Sequence, residues 1–313
     1  MRFNPKARLD TSRMGDAGRS RGGGGGGGRM IPIPGGARAG GGIGGLIIVI
    51  LLILATQCLG DGGGGPATQG GGLDTSRMAD SGRYASCKTG ADANASEDCA
   101  RVAVENSLHD YWSSTLPEQS DTPFQGEQGL ETFGGSIGTG CGQASSQVGP
   151  FYCPTDRTIY LDTTFFDAVL EKQLNGPSGD FVEPYVLAHE YGHHIQNLLG
   201  TMGRVRTQQG PKSDSVRLEL QADCYAGMWT KNATTTDDAS GQVLIESLSD
   251  DDIQEAIAAA TAVGDDRIQE QTGGRVNPEQ WTHGSAQSRV KWFMTGYQQG
   301  SLDACDTFAT DDL

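Results

Sequence analysis

The sequence predicts an α+β fold, mainly helical, with a small antiparallel sheet, preceded by a single transmembrane helix. Three observations carry this reading. Two stretches around residues 184–200 and 217–229 place apolar side chains at helical spacing. A short segment before them, 157–161, is β-branched or aromatic at key positions. An apolar run follows a basic, glycine-rich head.

Charge divides the chain first. Residues 1–60 hold eight Lys and Arg against two Asp, or +6, which leaves −22 for the rest of a 313-residue chain whose net charge is −16. Such asymmetry suits two environments. Leu46–Ala55 carries no polar side chain, and widening the window to 41–59 gives nineteen mostly apolar residues, near the minimum for a membrane span. All eight cations, Arg2 to Arg38, precede it, so the N-terminus is expected in the cytoplasm and the remainder outside. The expected organisation is a basic, Gly-rich cytoplasmic tail (1–42), a transmembrane signal anchor (43–59), a Gly-rich linker (60–83) and an exported domain (84–307) in a single-pass protein of the cell membrane. A cleaved signal peptide fits less well, because the basic region is long and no A-x-A site follows. Cys58 raises a lipoprotein reading, but Thr56-Gln57 before it match that poorly. One repeat exists: Leu9-Asp10-Thr11-Ser12-Arg13-Met14 recurs as Leu73-Asp74-Thr75-Ser76-Arg77-Met78, and both copies continue x-Asp-x-Gly-Arg. Two copies fall short of a solenoid.

Within the exported part, Ser96 to Trp112 reads as a helix with Val104, Leu108 and Tyr111 in register. Arg157–Leu161 reads as a strand. Pro184 suits the first turn of a helix and Gly200 its stop, with Leu187, Tyr191, Ile195 and Leu198 as one apolar stripe. Leu218, Ala222, Tyr225 and Trp229 form the stripe of a second helix. Asp251–Val263 and Ala286–Gln298 are the remaining helices, the first stopped by Gly264. Six Cys follow the apolar run, an even count that suggests disulfides in an exported domain. Of the 15 connectivities that six Cys allow, Cys87–Cys99 and Cys141–Cys153 each close a short local loop. Cys224–Cys305 would then tie the second helix to the C-terminal part. The acidic domain gives no nucleic-acid signal.

His189-Glu190-Tyr191-Gly192-His193 carries the chemistry. It reads H-E-x-x-H, which sets two imidazoles on one helical face with a carboxylate beside them. The pair can grip one metal ion, and Zn2+ with an open position lowers the pKa of its bound water to about 7. Glu190 is then the expected general base. His194 points away from His193 and is read as a polar supporting or surface residue. A catalytic zinc needs a third protein ligand. Gln196 and Leu199 stand where a metzincin would carry Gly and His, which excludes that class. Glu219 and Asp223 share one face of the second helix, four apart. Glu219 is the expected third ligand. Asp223, one turn on, is placed to accept the free ring N–H of a ligand histidine and fix its tautomer.

The stretches 189–196 (H-E-Y-G-H-H-I-Q), 219–229 (E-L-Q-A-D-C-Y-A-G-M-W) and 281–297 (W-T-H-G-S-A-Q-S-R-V-K-W-F-M-T-G-Y) resemble a bacterial family of neutral zinc metallopeptidases along most of the chain. The resemblance implies a basic N-terminus, one membrane segment and an exported zincin-like domain of gluzincin type. It also implies that Ile159–Leu161 is the strand that lines the cleft and pairs with an extended substrate. The expected activity is hydrolysis of a peptide or protein substrate, with Glu190 shuttling the proton from water to the leaving amine. Preorganised donors stabilise the oxyanion of such reactions; His283, in Thr282-His283-Gly284-Ser285, is the candidate, with Tyr160, Tyr185 and Tyr225 behind it. Two other readings remain open at this level. One is a membrane-tethered zinc-binding module without activity, against which Glu190 argues. The other is a hydrolase of a non-peptide amide, such as one in the cell wall.

Overall fold

The computed structural model describes residues 1–19, 82–145 and 148–313. The expected span at 43–59, Cys58 and the second repeat copy at 73–78 lie outside them. Among the described residues no helix is long and apolar enough to cross a membrane.

The fold is α+β. In chain order the main elements are β1 (Arg2–Phe3), β2 (Met14–Arg19), α1 (Glu97–Gln119), β3 (Gly129–Gly134), β4 (Ser136–Thr139), β5 (Gly142–Ser145), β6 (Phe151–Cys153), β7 (Thr158–Asp162), α2 (Val182–Leu198), α3 (Asp214–Asn232), β8 (Ile245–Ser247), α4 (Asp250–Ala262), α5 (Asp265–Gly273) and α6 (Ala286–Gln299). The helix expected to end at Trp112 runs to Gln119, because Leu116 extends the buried row of Leu108 and Trp112 by one more turn. α2 begins with Pro184 in its first turn and ends at Gly200, whose φ of 73° is left-handed backbone that suits glycine. Ser213 caps α3 by accepting from the Val216 amide, and Ser249 with Asp252 forms a capping box on α4. Gly264 stops α4 as expected, but the chain turns at once into α5, which the apolar spacing did not reveal.

The sheet differs from expectation. Its four strands run in the order β2-β3-β7-β6, and only the β6/β7 hairpin is antiparallel. β2/β3 and β3/β7 are parallel, since the long connections between them let the chain return in the same direction. Two further antiparallel pairs, β4/β5 and β1/β8, flank it. The helices share a core built around Trp112, Trp229, Tyr185, Phe181 and Phe293. A smaller core under the β4/β5 hairpin holds Phe133, Phe151 and Tyr160. All three expected disulfides are formed: Cys87–Cys99, Cys141–Cys153 and Cys224–Cys305.

The folded unit extends beyond 84–307. Residues 1–19 pack on it through β1 and β2, and the Met1 amino group lies 2.7 Å from Asp252. Arg13 reaches inward to Glu105, with Nε 2.6 Å from Oε1. On the other side, Arg217 of α3 donates to the carbonyls of Thr307 and Thr310.

α3 and α6 cross at very close range. A Cβ on Gly296 would lie 1.8 Å from the Cys224 carbonyl oxygen, and one on Gly227 would lie 2.0 Å from that of Phe293. Only glycine at both positions lets the two backbones touch. That contact sets α6 against α3 and so aims Arg289 at the site described next.

Candidate metal centre

α2 and α3 lie side by side at Gly192, whose Cβ position is 3.0 Å from the Ala222 carbonyl oxygen. This contact brings His189, His193 and Glu219 together. Ligand atoms of the three lie within 4.8 Å of one another. His189 Nε2 is 3.2 Å from Glu219 Oε2, and His193 Nε2 is 3.5 Å from Glu219 Oε1.

The other ring nitrogens are already engaged. His189 Nδ1 sits 2.9 Å from Asp223 Oδ1, the role expected for Asp223. His193 Nδ1 sits 2.8 Å from Gln196 Oε1. The Gln196 amide is fixed in turn by donating to the Leu218 carbonyl and to Gln221. With each Nδ1–H given to an oxygen, both Nε2 atoms face Glu219, the side on which each ring would give up its proton to a metal ion. Two imidazole nitrogens and a carboxylate, each imidazole held in one tautomer, fit a zinc ion with one position left open.

Electrostatics agree. Burial disfavours the charge on His189, but Asp223 and Glu219 outweigh it and lift the imidazole to about 10. Burial would raise Glu219, yet His193, His283 and His189 hold it well below the carboxylate range. The cluster therefore attracts positive charge strongly. Asp223 is fully buried, and burial is overcome chiefly by Arg289, which holds it at about 2. Arg289, from α6, grips Asp223 with Nε and Nη2 at 2.8 and 2.9 Å. It also donates to the Tyr185 hydroxyl, which itself donates to Asp223 at 2.6 Å.

Neither Arg289 nor Gln196 was singled out from the sequence. Gln196 is three residues from His193, so helical spacing could have found it. Arg289 lies 100 residues from His189 and carries no local signal.

A cleft of about 150 Å³ opens onto the cluster. Glu190, His189, His193, Glu219, His283 and Arg289 line its polar end. Phe151, Phe165, Val169, Leu174, Val186 and Ile268 line the rest. Glu190 is 7 % exposed, and among the described residues its carboxylate makes no hydrogen bond or ion pair. His283 is held at the cleft by Asp265, whose Oδ2 accepts from the amides of Thr282, His283 and Gly284 at 2.7, 2.7 and 3.0 Å. Burial opposes the charge on its ring, but Glu219 and Asp265 outweigh burial and raise its pKa.

Three expectations need correction. The tyrosine hydroxyls are engaged elsewhere: Tyr160 donates to Asp156, Tyr185 lines the cleft but donates to Asp223, and Tyr225 is buried in the main core. Ile159 and Tyr160 lie in an inner strand, paired with β3 on one side and β6 on the other, with Leu161 paired to β3, so the segment is not the terminal strand of the sheet. The strand at the cleft is β6, at the end of the sheet, with Phe151 and Tyr152 in the wall. His194 is neither exposed nor beside the metal ligands. It is fully buried, with Nδ1 3.0 Å from the Tyr152 hydroxyl and Nε2 2.8 Å from the Gln125 carbonyl, and it fastens α2 to β6.

Comparison with known proteins bears on the same residues. The family model described as "Putative neutral zinc metallopeptidase" matches residues 3–308. An uncharacterized protein of Mycobacterium tuberculosis is 54 % identical over 229 residues, covering 72 % of this chain and 76 % of its own length. The uncharacterized protein YpfJ of Escherichia coli K12 is 42 % identical over 205 residues, covering 64 % of this chain and 67 % of its own. No solved structure matches. The family match spans every residue of the His189–His193–Glu219 cluster, and the chain belongs to that family of putative neutral zinc metallopeptidases.

Proposed function

We propose that this protein is a membrane-anchored zinc peptidase that hydrolyses peptide bonds in its cleft. The observation that carries the reading is Glu190: a buried carboxylate that among the described residues makes no hydrogen bond or ion pair, beside a three-residue cluster that could hold a metal ion. A site built only to hold a structural ion has no use for such a group and closes its fourth position with Cys or His.

Zinc, when bound, supplies Lewis acidity and a water whose pKa is near 7. Glu190 takes the proton of the attacking water and delivers it to the departing amine. His283 faces the cleft with a raised pKa and donates to the developing oxyanion. Asp223 and Gln196 keep both ligand imidazoles in one tautomer throughout. β6, the terminal strand of the described sheet, sits beside the cleft, where an extended substrate chain would run along it. The wall of Phe151, Phe165, Val169, Leu174 and Ile268 receives an apolar side chain next to the scissile bond. Anchoring by residues 43–59 rests on their apolar run and the eight preceding cations.

The test uses the purified full chain with zinc analysis and a peptide library. Glu190→Gln is expected to hold close to one zinc per chain and lose nearly all hydrolysis. Glu219→Ala is expected to lose zinc itself. Unchanged hydrolysis in Glu190→Gln ends the mechanism, and full zinc occupancy in Glu219→Ala removes Glu219 from the site. Zinc binding with no peptide cleaved by the wild type points instead to an interaction module or a non-peptide amidase.

A further inference from the structure

Residues 9–16 occupy a groove between α1 and the free side of β3. The Asp10 amide donates to Asn106 Oδ1 at 2.7 Å and its carbonyl accepts from Asn106 Nδ2 at 2.8 Å. Arg13 Nε lies 2.6 Å from Glu105 Oε1 and 3.4 Å from Glu127 Oε1. The Arg13 carbonyl accepts from the Leu130 amide, and Met14, Gly15 and Asp16 pair in parallel with Leu130, Glu131 and Thr132. Asp16 Oδ1 accepts from the Thr132 hydroxyl at 2.9 Å.

This groove cannot be left without a cation at no cost. Glu105 is 1 % exposed and Glu127 4 % exposed, and Arg13 is the cation between them. Burial and the neighbouring Glu127 raise Glu105 well above the carboxylate range, so the pair holds one negative charge, and a buried carboxylate stripped of its cation is strongly unfavourable. Yet a chain whose residues 43–59 cross a membrane puts residues 9–16 on one side and the domain on the other.

The second copy resolves the conflict. Residues 73–83 repeat residues 9–19 except that Gly15 becomes Ala79 and Ala17 becomes Ser81. Both side chains that make the contacts above recur, Arg77 for Arg13 and Asp80 for Asp16, and Asp74 and Met78 stand where Asp10 and Met14 contribute backbone groups. The glycines that follow share the same left-handed backbone, with φ of 68° at Gly18 and 70° at Gly82. The second copy also emerges at the groove. Arg83 Nη1 is 3.6 Å from Asp16 Oδ1, and the Tyr84 hydroxyl donates to Thr132 at 3.0 Å.

We propose that the groove between α1 and β3 is a docking site for residues 73–80 of the same chain, which replace residues 9–16 with Arg77 between Glu105 and Glu127. Residues 82–86 lead from the groove, where Arg83 and Tyr84 lie, to Cys87. So short a tether keeps the local concentration of the second copy high. The two copies are not equal. A Cβ at Gly15 would lie 1.9 Å from Glu131 Oε2, so Ala79 requires the Glu131 side chain to swing aside. The first copy therefore wins where both can reach the groove, and the second closes it where the first is held across a membrane.

Hydrogen exchange on the detergent-solubilised full chain, read at 9–16 and 73–80, tests this. Wild type is expected to protect 9–16. Arg13→Ala is expected to stay folded, to release 9–16, and to slow exchange of 73–80 at least about tenfold (more than 1.4 kcal/mol of local protection at 25 °C). Gly15→Ala, which keeps Arg13 but imposes the Glu131 clash on the first copy, is expected to shift protection the same way. The double variant Arg13→Ala/Arg77→Ala is expected to protect neither segment and to melt below both single variants. The proposal is overturned if 73–80 exchanges as fast in Arg13→Ala as in wild type. It is equally overturned if Arg13→Ala unfolds outright, because Arg77 then fails to substitute.

Discussion

Arg289→Met isolates the interaction on which the metal ligands rest. The guanidinium is 4 % exposed and holds Asp223, fully buried, through two contacts of 2.8 and 2.9 Å. Met keeps the length of the side chain and removes the charge. Asp223 is then a buried carboxylate with the Tyr185 hydroxyl and His189 Nδ1 as its remaining partners. Breaking a buried pair by deleting one member costs about 3–5 kcal/mol. At about 2–4 °C per kcal/mol for a domain of this size, melting should fall by roughly 6–20 °C. Zinc affinity should fall roughly 10–100-fold, because Asp223, no longer held in place by Arg289, orients the His189 ring less firmly. Thermal unfolding in chelator measures the first quantity, and competition with a chromophoric chelator the second. Adding Asp223→Asn to Arg289→Met removes the orphaned charge, so much of the lost stability should return while zinc affinity stays low. The coupling between the two substitutions is the double-mutant-cycle energy of the pair. A melting point within about 2 °C of wild type for Arg289→Met, with unchanged zinc affinity, refutes the argument, since such a shift is below 1 kcal/mol.

Other perturbations follow from the same geometry. Gly296→Ala drives a methyl into the Cys224 carbonyl at the α3–α6 contact, where backbone rather than a flexible side chain is in the way. It should cost more than about 3 kcal/mol in denaturant unfolding, and a neutral result means the helices part easily. Asp265→Ala strands three amides at Thr282, His283 and Gly284. Peptide cleavage should fall while zinc content holds, because His283 loses its support; loss of zinc instead would place Asp265 nearer the ligands. The same carboxylate gives a pH dependence. Burial raises its pKa, but His283 and the backbone amides overcome that and lower it below 3.8. Its contribution to stability is thus present above pH 3.8 and disappears as acid carries the solution through the lower folded value. Melting of wild type should drop in that range more steeply than melting of Asp265→Ala.

The parts of this protein that depend on local periodicity were readable from the chain. His189, Glu190, His193, Glu219 and Asp223 are related by one helical turn or less within each helix, so their shared faces follow from spacing alone. The disulfides were accessible for a related reason, since two of them span 12 residues. Features decided by distant partners were not. Strand pairing joins Met14 to Leu130 and Leu130 to Ile159, and nothing in Ile159–Leu161 distinguishes an inner strand from an edge. Arg289 looks like any helical arginine until α6 is laid on α3. The docking of residues 1–19 was hidden behind a charge pattern that sorted them with the membrane-proximal segment.

The position of Arg289 also fixes when the centre can exist. During synthesis the H-E-x-x-H pair emerges first and Glu219 some 30 residues later, with Asp223 buried one helical turn beyond it. Arg289 follows 66 residues after Asp223, and Cys305, which anchors Cys224, later still. Until then Asp223 lacks its guanidinium partner, and α3 lacks the helix that packs across Gly227. A nascent chain therefore carries the ligands long before it can hold them in register. The complete cluster, with its supporting charges, therefore forms only after α6 has been made and laid on α3.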